Sequence, residues 1–149
     1  MATSRDCPTR KSDVISKLET EHYVWVPSAD GDGHTHLVPL SFHWDGGSLW
    51  WAVAKRSRTS LNLQRAGEAR VAVGTGDDVV IMEGNVTVRV PGELDGNLRA
   101  AFHRQARWDP FANADGNVFF ELTPKTVMAW RDESEIADRH VMVRGAWRC

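Results

Sequence analysis

Residues 34–66 decide the fold, and they read His34-Thr-His-Leu-Val-Pro-Leu-Ser-Phe-His-Trp-Asp-Gly-Gly-Ser-Leu-Trp-Trp-Ala-Val-Ala-Lys-Arg-Ser-Arg-Thr-Ser-Leu-Asn-Leu-Gln-Arg-Ala66. Residues 34–44 and 48–54 have the β-branched and aromatic content of strands. Between them, Asp45-Gly-Gly47 supplies a turn in which glycine can adopt positive φ. This part of the chain therefore predicts a β-hairpin.

After the hairpin the apolar period changes to that of a helix, over Ser57 to Ala66. Leu61 and Leu63 are expected to face a core. Ser57 is a typical N-cap residue and Gly67 a typical C-terminal stop. The hairpin therefore runs directly into a short capped helix.

The rest of the chain has the same hairpin-like organisation. Glycine in Glu83-Gly84 indicates a bulge or a bend, Ser12 is expected to cap the first helix, and 108–117 is expected to be a loop. The tail from Asp132 predicts a short helix and one last strand. Further strands are predicted at 22–27, 69–75, 78–90, 118–122 and 126–131, and further helices at 9–21 and 94–107. Sequential antiparallel strands of this number favour closure into a small barrel, so the fold class is mainly β with flanking helices.

Length and charge limit the function. The 149 residues suit one domain, 1–149, with 1–9 expected to be a disordered tail. With 18 Lys+Arg against 20 Asp+Glu, the composition argues against nucleic-acid binding through phosphate neutralisation. No apolar run is long enough to span a membrane, and no signal peptide is visible. Cys7 and Cys149 could pair, but their spacing indicates no disulfide framework, so a cytoplasmic protein with reduced thiols is expected.

The segment Lys55-Arg-Ser-Arg-Thr59 is the first candidate site. It leaves a strand and enters the helix, whose first N–H groups have no intrahelical acceptor. Such an N-terminus binds anions, and Arg58 and the Thr59 hydroxyl can add donors, while Lys55 and Arg56 raise the local potential. The segment predicts a phosphate site, although basic residues beside a turn also occur as a plain solvated rim.

The second candidate lies on the preceding strand. His36 and Ser41 can donate to polar atoms of a heteroaromatic ring. His34 and His36 share one face while His43 points the other way, and no acidic or cysteine ligand is expected beside them, so no metal site is predicted. Seven tryptophans indicate core and interface packing, or a wall for a planar ligand.

Hydrolytic machinery is weakly supported. There is no Gly-x-Ser-x-Gly elbow, and both cysteines are terminal. Chemistry without clear acid or base groups is typical of proteins in which a flavin does the redox work and the protein holds and orients it. No side chain is therefore predicted to be catalytic.

Several motifs in order resemble the pyridoxamine 5′-phosphate oxidase-like family over roughly residues 10 to 148. They are the stretch 36–47, Leu49 to Ala54, Ser57 to Leu63, Val80-Ile-Met-Glu-Gly84, 120–131 and Gly145-Ala-Trp-Arg148. The resemblance implies a split β-barrel homodimer that binds FMN, or a deazaflavin (F-420) in related branches, at the subunit interface.

The resemblance also implies which residues bind the cofactor. The family's phosphate-binding Ser-Arg-Lys reads Ser57-Arg58-Thr59 here, and an arginine usual near His36 is absent. The substrate-phosphate residues of true pyridoxamine phosphate oxidases have no match around 139–148. The expected cofactor-binding set is His36, Val38, Pro39, Leu40, Ser41, Val53, Ala54, Lys55, Arg56, Ser57, Arg58 and Thr59.

The expected function is a flavin-dependent oxidoreductase that passes a hydride to a small organic substrate. Trp108 and Phe111 could wall the pocket from the partner subunit, or belong to the core. Two other interpretations stay open: a binding protein of the same fold that holds a flavin, haem or tetrapyrrole without turnover, and a dimeric scaffold with a vacant site.

Overall fold

Six antiparallel strands form a barrel in the computed structural model, which describes residues 3–149. The strands are β1 (Tyr23–Ala29), β2 (Thr35–Trp44), β3 (Leu49–Ala54), β4 (Glu68–Thr75), β5 (Asp78–Arg89) and β6 (Asn117–Trp130). Their order is β3-β2-β1-β4-β5-β6, and β6 pairs with β3 to close the ring. The predicted mainly β fold, a split barrel with flanking helices, is confirmed.

Three helices flank the barrel: α1 (Cys7–Thr20), α2 (Arg58–Ala66) and α3 (Gly96–Ala106). Helix α2 has the predicted caps, because the Ser57 side chain accepts from the Ser60 N–H and Gly67 is left-handed with φ 72°. Its orientation differs from the prediction at one position: Leu63 is buried, but Leu61 is 58% exposed. The two leucines are two residues apart, about 200° around a helix, so they cannot share a face.

Strand β6 runs straight through Pro124, where two separate strands were predicted. Pro124 lies opposite Gly84, at the predicted register shift between Glu83 and Gly84. A Cβ at Gly84 would come within 1.9 Å of the Thr123 carbonyl oxygen, so only glycine permits this close approach. The bulge therefore accommodates the proline, which has no ladder donor, within a central strand.

The chain after β6 also differs from its prediction. A 3₁₀ segment (Glu133–Asp138) follows as expected, but two strands come after it, β7 (His140–Val143) and β8 (Ala146–Trp147), rather than one. Arg144 and Gly145 between them have φ of 54° and 77°. Two positive φ values in a two-residue loop are those of a tight hairpin turn, and Gly145 provides the permissive position.

The N-terminal prediction needs correction. Residues 7–9, expected in a disordered tail, form the first turn of α1, while Met1 and Ala2 lie outside the described residues. Asp6, not Ser12, caps the helix by accepting from the Thr9 N–H. Cys7 is bonded to Cys149, so the expectation of reduced thiols is also wrong. Spacing alone could not reveal this pair, because the fold brings the two chain ends together.

The main core fills the barrel and extends to the buried face of α1. Helix α1 contributes Val14 and Leu18, and the strands contribute Trp44, Trp51 and other apolar side chains. A smaller cluster, which we call the outer core cluster, lies outside the barrel. In it, Phe102 of α3 packs edge-on against Phe119 of β6.

No helix in residues 3–149 is both long and apolar enough to cross a membrane.

Candidate functional site

A gap in the barrel wall separates part of β2 from the end of β3. These strands pair only from Phe42↔Trp51 to Trp44↔Leu49, close to their connecting turn. Beyond it, β2 continues beside β1 while β3 stays with β6 through Ala54. The facing backbone edges of β2 and β3 are therefore left without strand partners at the gap, among the residues that the structure describes.

A cleft of about 390 Å³ lies at this gap and ends at the start of α2. We call it the split cleft. Nine of the twelve predicted cofactor-binding residues line it, together with three that were not in the predicted set, Tyr23, Ala52 and Trp108. The nine are His36, Val38, Pro39, Leu40, Ser41, Val53, Ala54, Ser57 and Thr59. The lining is mostly apolar, and its polar groups are few, as in typical small-molecule sites.

The start of α2 forms the polar end of the cleft. Ser57 caps the helix at a distance of 3.1 Å from its Oγ to the Ser60 nitrogen, which leaves the N–H groups of Arg58 and Thr59 without intrahelical acceptors. The Thr59 side chain is only 2% exposed, and its hydroxyl bonds to no described side chain or backbone group. A buried hydroxyl beside two free N–H groups at a helix N-terminus is a donor set suited to an anion.

The other three predicted residues lie outside the cleft lining. All three are exposed near its mouth, Lys55 and Arg56 on the turn after β3 and Arg58 as the first residue of α2. Their charges raise the potential at the entrance, but the described chain gives none of them a side-chain hydrogen bond or ion pair that would fix its position. The basic residues and the N-terminus of α2 therefore lie next to each other at the polar end of the split cleft.

The two aromatic residues proposed as pocket walls, Trp108 and Phe111, lie in different places. Trp108 follows α3, lines the cleft and is 42% exposed. Phe111 instead packs on Phe119, with ring centroids 4.9 Å apart, and the Arg99 guanidinium lies over its other side. Phe111 therefore belongs to the outer core cluster, which is the alternative that the sequence left open.

Tyr23 is a cleft residue that the sequence prediction missed. It lies directly opposite Ser41 in the β1–β2 ladder, and cross-strand partners project from the same face of a sheet. The β1–β2 register was required to identify it. A register counted from the turn at 29–33 would have placed Tyr23 beside the predicted residue Ser41.

The three histidines of the 34–43 segment occupy separate environments. His36 lines the split cleft. His43 lies beneath α3 with its Nδ1 3.0 Å from Gln105 Oε1, and burial lowers its pKa. His34 is exposed on the β1–β2 turn, where Asp30 binds its ring and its backbone N–H.

Acidic groups do accompany His34, contrary to expectation, since ligand atoms of Asp30, Asp32 and His34 lie within 4.8 Å of one another. Asp30 Oδ1 accepts from the N–H groups of both Asp32 and His34. These hydrogen bonds close the turn between β1 and β2, and they account for the clustering.

Comparison with known proteins agrees with this geometry. The pyridoxamine 5′-phosphate oxidase family model matches residues 13–131. A search of curated proteins finds no significant match.

Solved structures share the fold at low identity. An F420 reductase is 18% identical, with a TM-score of 0.62 over 75% of this chain and 93% of its own. General Stress Protein 26 of Bacillus anthracis str. Sterne is 15% identical, with a TM-score of 0.62 over 83% and 95%. A pyridoxamine 5′-phosphate oxidase-related, FMN-binding protein of Nostoc punctiforme PCC 73102 is 14% identical, with a TM-score of 0.54 over 90% and 83%.

The fold and the cleft define a class of protein: split antiparallel barrels with a cleft that ends at a helix N-terminus. The family match then gives the identification: the chain belongs to the pyridoxamine 5′-phosphate oxidase family.

Proposed function

We propose that this protein is a flavin-dependent oxidoreductase that binds FMN or a deazaflavin in the split cleft and reduces or oxidises a small organic molecule. The observation that carries the proposal is the polar end of the cleft, where the buried Thr59 hydroxyl and the capped N-terminus of α2 meet an apolar slot. An anion site at the end of an apolar slot suits a molecule with a phosphate and a planar ring system.

The residues present fit such a group. Its phosphate would be held by the N–H groups of Arg58 and Thr59, by the Thr59 hydroxyl and by the Arg58 guanidinium, with Lys55 and Arg56 adding positive charge at the mouth. Since the β2 and β3 edges are unpaired at the gap, their backbone groups can bond to ring heteroatoms. His36 is an additional donor or acceptor beside them. The missing lysine thus leaves a phosphate site built mainly from backbone groups.

When bound, a flavin supplies two-electron hydride chemistry, and this chain's residues supply binding and orientation. Val38, Leu40 and Val53 keep the slot apolar, which would exclude water from the ring. Among residues 3–149, the titratable groups that line the cleft are His36 and Tyr23, so the proposed catalysis assigns no obligatory acid or base to the protein.

We also propose that the cleft is completed by a second copy of the chain. The outer face of β1 and β2 exposes Tyr23, Trp25 and Leu37, at 62%, 44% and 58%. Three large apolar side chains on one sheet face are unusual for a monomer surface and typical of an interface. Because Tyr23 also lines the cleft, a partner on this face would cover its opening.

Absorbance titration with FMN and, separately, with the deazaflavin tests the proposal. A saturable, perturbed spectrum at one cofactor per subunit is expected for one of them. Arg58→Ala and Thr59→Val should each weaken binding by about tenfold, the loss expected for one hydrogen bond to a charged group. Arg104→Ala, an exposed arginine on α3, is the charge-matched control. Flat titrations with both cofactors would refute the proposal.

A second candidate is a non-catalytic binding protein of the same fold, which fits a cleft lining that offers no clear acid or base among residues 3–149. A turnover assay separates this candidate from the enzyme. Repeated reduction of the bound cofactor by a nicotinamide donor, or repeated use of reduced deazaflavin, supports the enzyme. Tight binding with no turnover supports the binding protein.

A further inference from the structure

A second and larger cavity, of about 810 Å³, lies between the β1–β2 hairpin and the C-terminal half of α2. We call it the hairpin pocket. Its walls come from β1 and β2, from helix α2, and from β4 and β5. The residues used below are Pro27, Ser28, Leu37, Asn62, Leu63 and Ala69.

Asn62 provides the polar centre of the hairpin pocket. It is only 5% exposed, and its amide Nδ2 donates to Ser28 Oγ over 3.0 Å. Its Oδ1 accepts no hydrogen bond from any residue between 3 and 149, yet this atom is not sealed in the core. Because this oxygen is still reached by water, it is free to accept from a ligand, and a ligand that covers it must offer a donor in place of the water that it displaces.

Ser28 adds the complementary group. Its oxygen accepts from Asn62, and its hydroxyl hydrogen goes to no acceptor in the described chain. Since a hydroxyl rotates to suit its partner, this hydrogen can be donated into the pocket. An acceptor and a donor thus stand side by side, joined by the hydrogen bond between Asn62 and Ser28.

The remaining walls are mostly apolar, and the two arginines at the rim are already engaged. Leu63 and Ala69 form the buried side of the pocket, and Pro27 and Leu37 form the side that is exposed in a single chain, of which Leu37 also belongs to the proposed partner face. Arg70 is paired with Glu83, while Arg65 donates to the Ala29 carbonyl at 2.7 Å. An anionic ligand would have to compete with these contacts. The remaining acidic residue of the lining, Glu68, is exposed to water and would hold a cation only weakly, so an uncharged ligand fits best.

We infer that the hairpin pocket binds an uncharged, mainly apolar molecule bearing a carboxamide or lactam group. The amide N–H bonds to Asn62 Oδ1, the amide carbonyl accepts from the Ser28 hydroxyl, and the apolar remainder lies against Leu63 and Ala69. A molecule with this donor and acceptor edge matches both groups at once.

His36 connects this pocket with the split cleft, because it lines both cavities. A ligand held by Asn62 therefore lies next to the proposed cofactor site, which gives the pocket the role of a substrate site. That role rests on the proposed function, whereas the binding itself depends only on the residues of the hairpin pocket.

The test compares cinnamamide with methyl cinnamate, which keeps the carbonyl and the apolar body but lacks the N–H donor. Calorimetric titration of the full chain, with and without FMN, should show the amide binding about tenfold more tightly than the ester, as one hydrogen bond predicts. Asn62→Leu should abolish this ratio. Ser28→Ala should weaken both probes and keep the ratio, and Gln64→Leu, an exposed amide on the same helix, should change neither.

The wild-type ratio decides the question even if Asn62→Leu does not fold. Equal binding of the two probes, binding of neither, or a ratio that survives in a folded Asn62→Leu protein would overturn the inference. If the amide preference is found but neither FMN nor deazaflavin binds, the hairpin pocket stands and the proposed function fails.

Discussion

Cleaving the Cys7–Cys149 bond should lower the stability of this protein substantially. The bond joins residues 142 positions apart, so it closes nearly the whole chain into one loop. Loop-closure entropy for that length amounts to about 5 kcal/mol, which restricts the unfolded chain rather than adding a native contact. Domains are typically stable by only about 5–15 kcal/mol, so the loss is large.

The native structure should nonetheless survive without the bond. Arg5 binds the buried Glu135 carboxylate at 2.7 Å, and Val14 and Leu18 of α1 are buried in the main core. These contacts hold α1 in place when the cysteines are reduced. The expected result is a less stable protein of unchanged fold.

Thermal and urea denaturation of the wild type, with and without reductant, and of Cys149→Ser test this reasoning. For a chain of this size, about 5 kcal/mol corresponds to a fall in Tm of about 10–20 °C. The urea m-value should rise on reduction, because an uncrosslinked unfolded chain exposes more surface. Cys149→Ser should behave like the reduced wild type and ignore reductant.

Peptide mapping under non-reducing conditions shows whether the bond is present in the sample. If it is present and reduction leaves Tm and m unchanged, the loop-entropy argument is wrong. If Tm falls with an unchanged m-value, the bond acts through native contacts instead.

Three further changes test other parts of the fold. Gly84→Ala should destabilise the protein by more than the 1 kcal/mol or so of a typical substitution, because its Cβ would meet the Thr123 carbonyl at 1.9 Å; urea denaturation measures this. Phe119→Ala should cost about 3–5 kcal/mol, since it is fully buried; a Tm unchanged within error would contradict its place in the outer core cluster. The hydrogen bond from Arg5 lowers the pKa of Glu135 to about 2 from 4.5, so its stabilisation is full above pH 4.5 and disappears as pH falls toward 2. Stability measured against pH should therefore fall less steeply over this range in Glu135→Gln than in the wild type.

The elements that local sequence determines were predicted well. Asp45 to Gly47 made the β2–β3 turn identifiable, Ser57 and Gly67 marked both ends of α2, and Gly84 marked the bulge. Each depends on the conformation or hydrogen bonding of a few neighbouring residues. That information is fully present in a short stretch of chain.

Features that depend on long-range contacts were missed. The Cys7–Cys149 pair and the passage of β6 through Pro124 both require knowledge of what lies opposite in space. The Asp6 cap is a local contact with the Thr9 N–H, and the prediction missed it by placing the start of the helix too late. Pro124 reads as a strand breaker until Gly84 is placed across from it. Leu61 was misplaced for a different reason, because helical periodicity alone was enough to exclude it from the face of Leu63.

The candidate site shows the same division. The set around His36, Ser57 and Thr59 could be proposed because the motif lies on consecutive elements, whereas Tyr23 enters the cleft only through the register of β1 on β2. Asn62 shows it most clearly. In the sequence it is one polar residue in an amphipathic helix, where a solvated position is the natural reading. Its burial beside Ser28, 34 residues earlier, makes it the centre of a second pocket. The partner of a polar residue on the apolar side of a helix, here Ser28 for Asn62, becomes visible only when the fold is known.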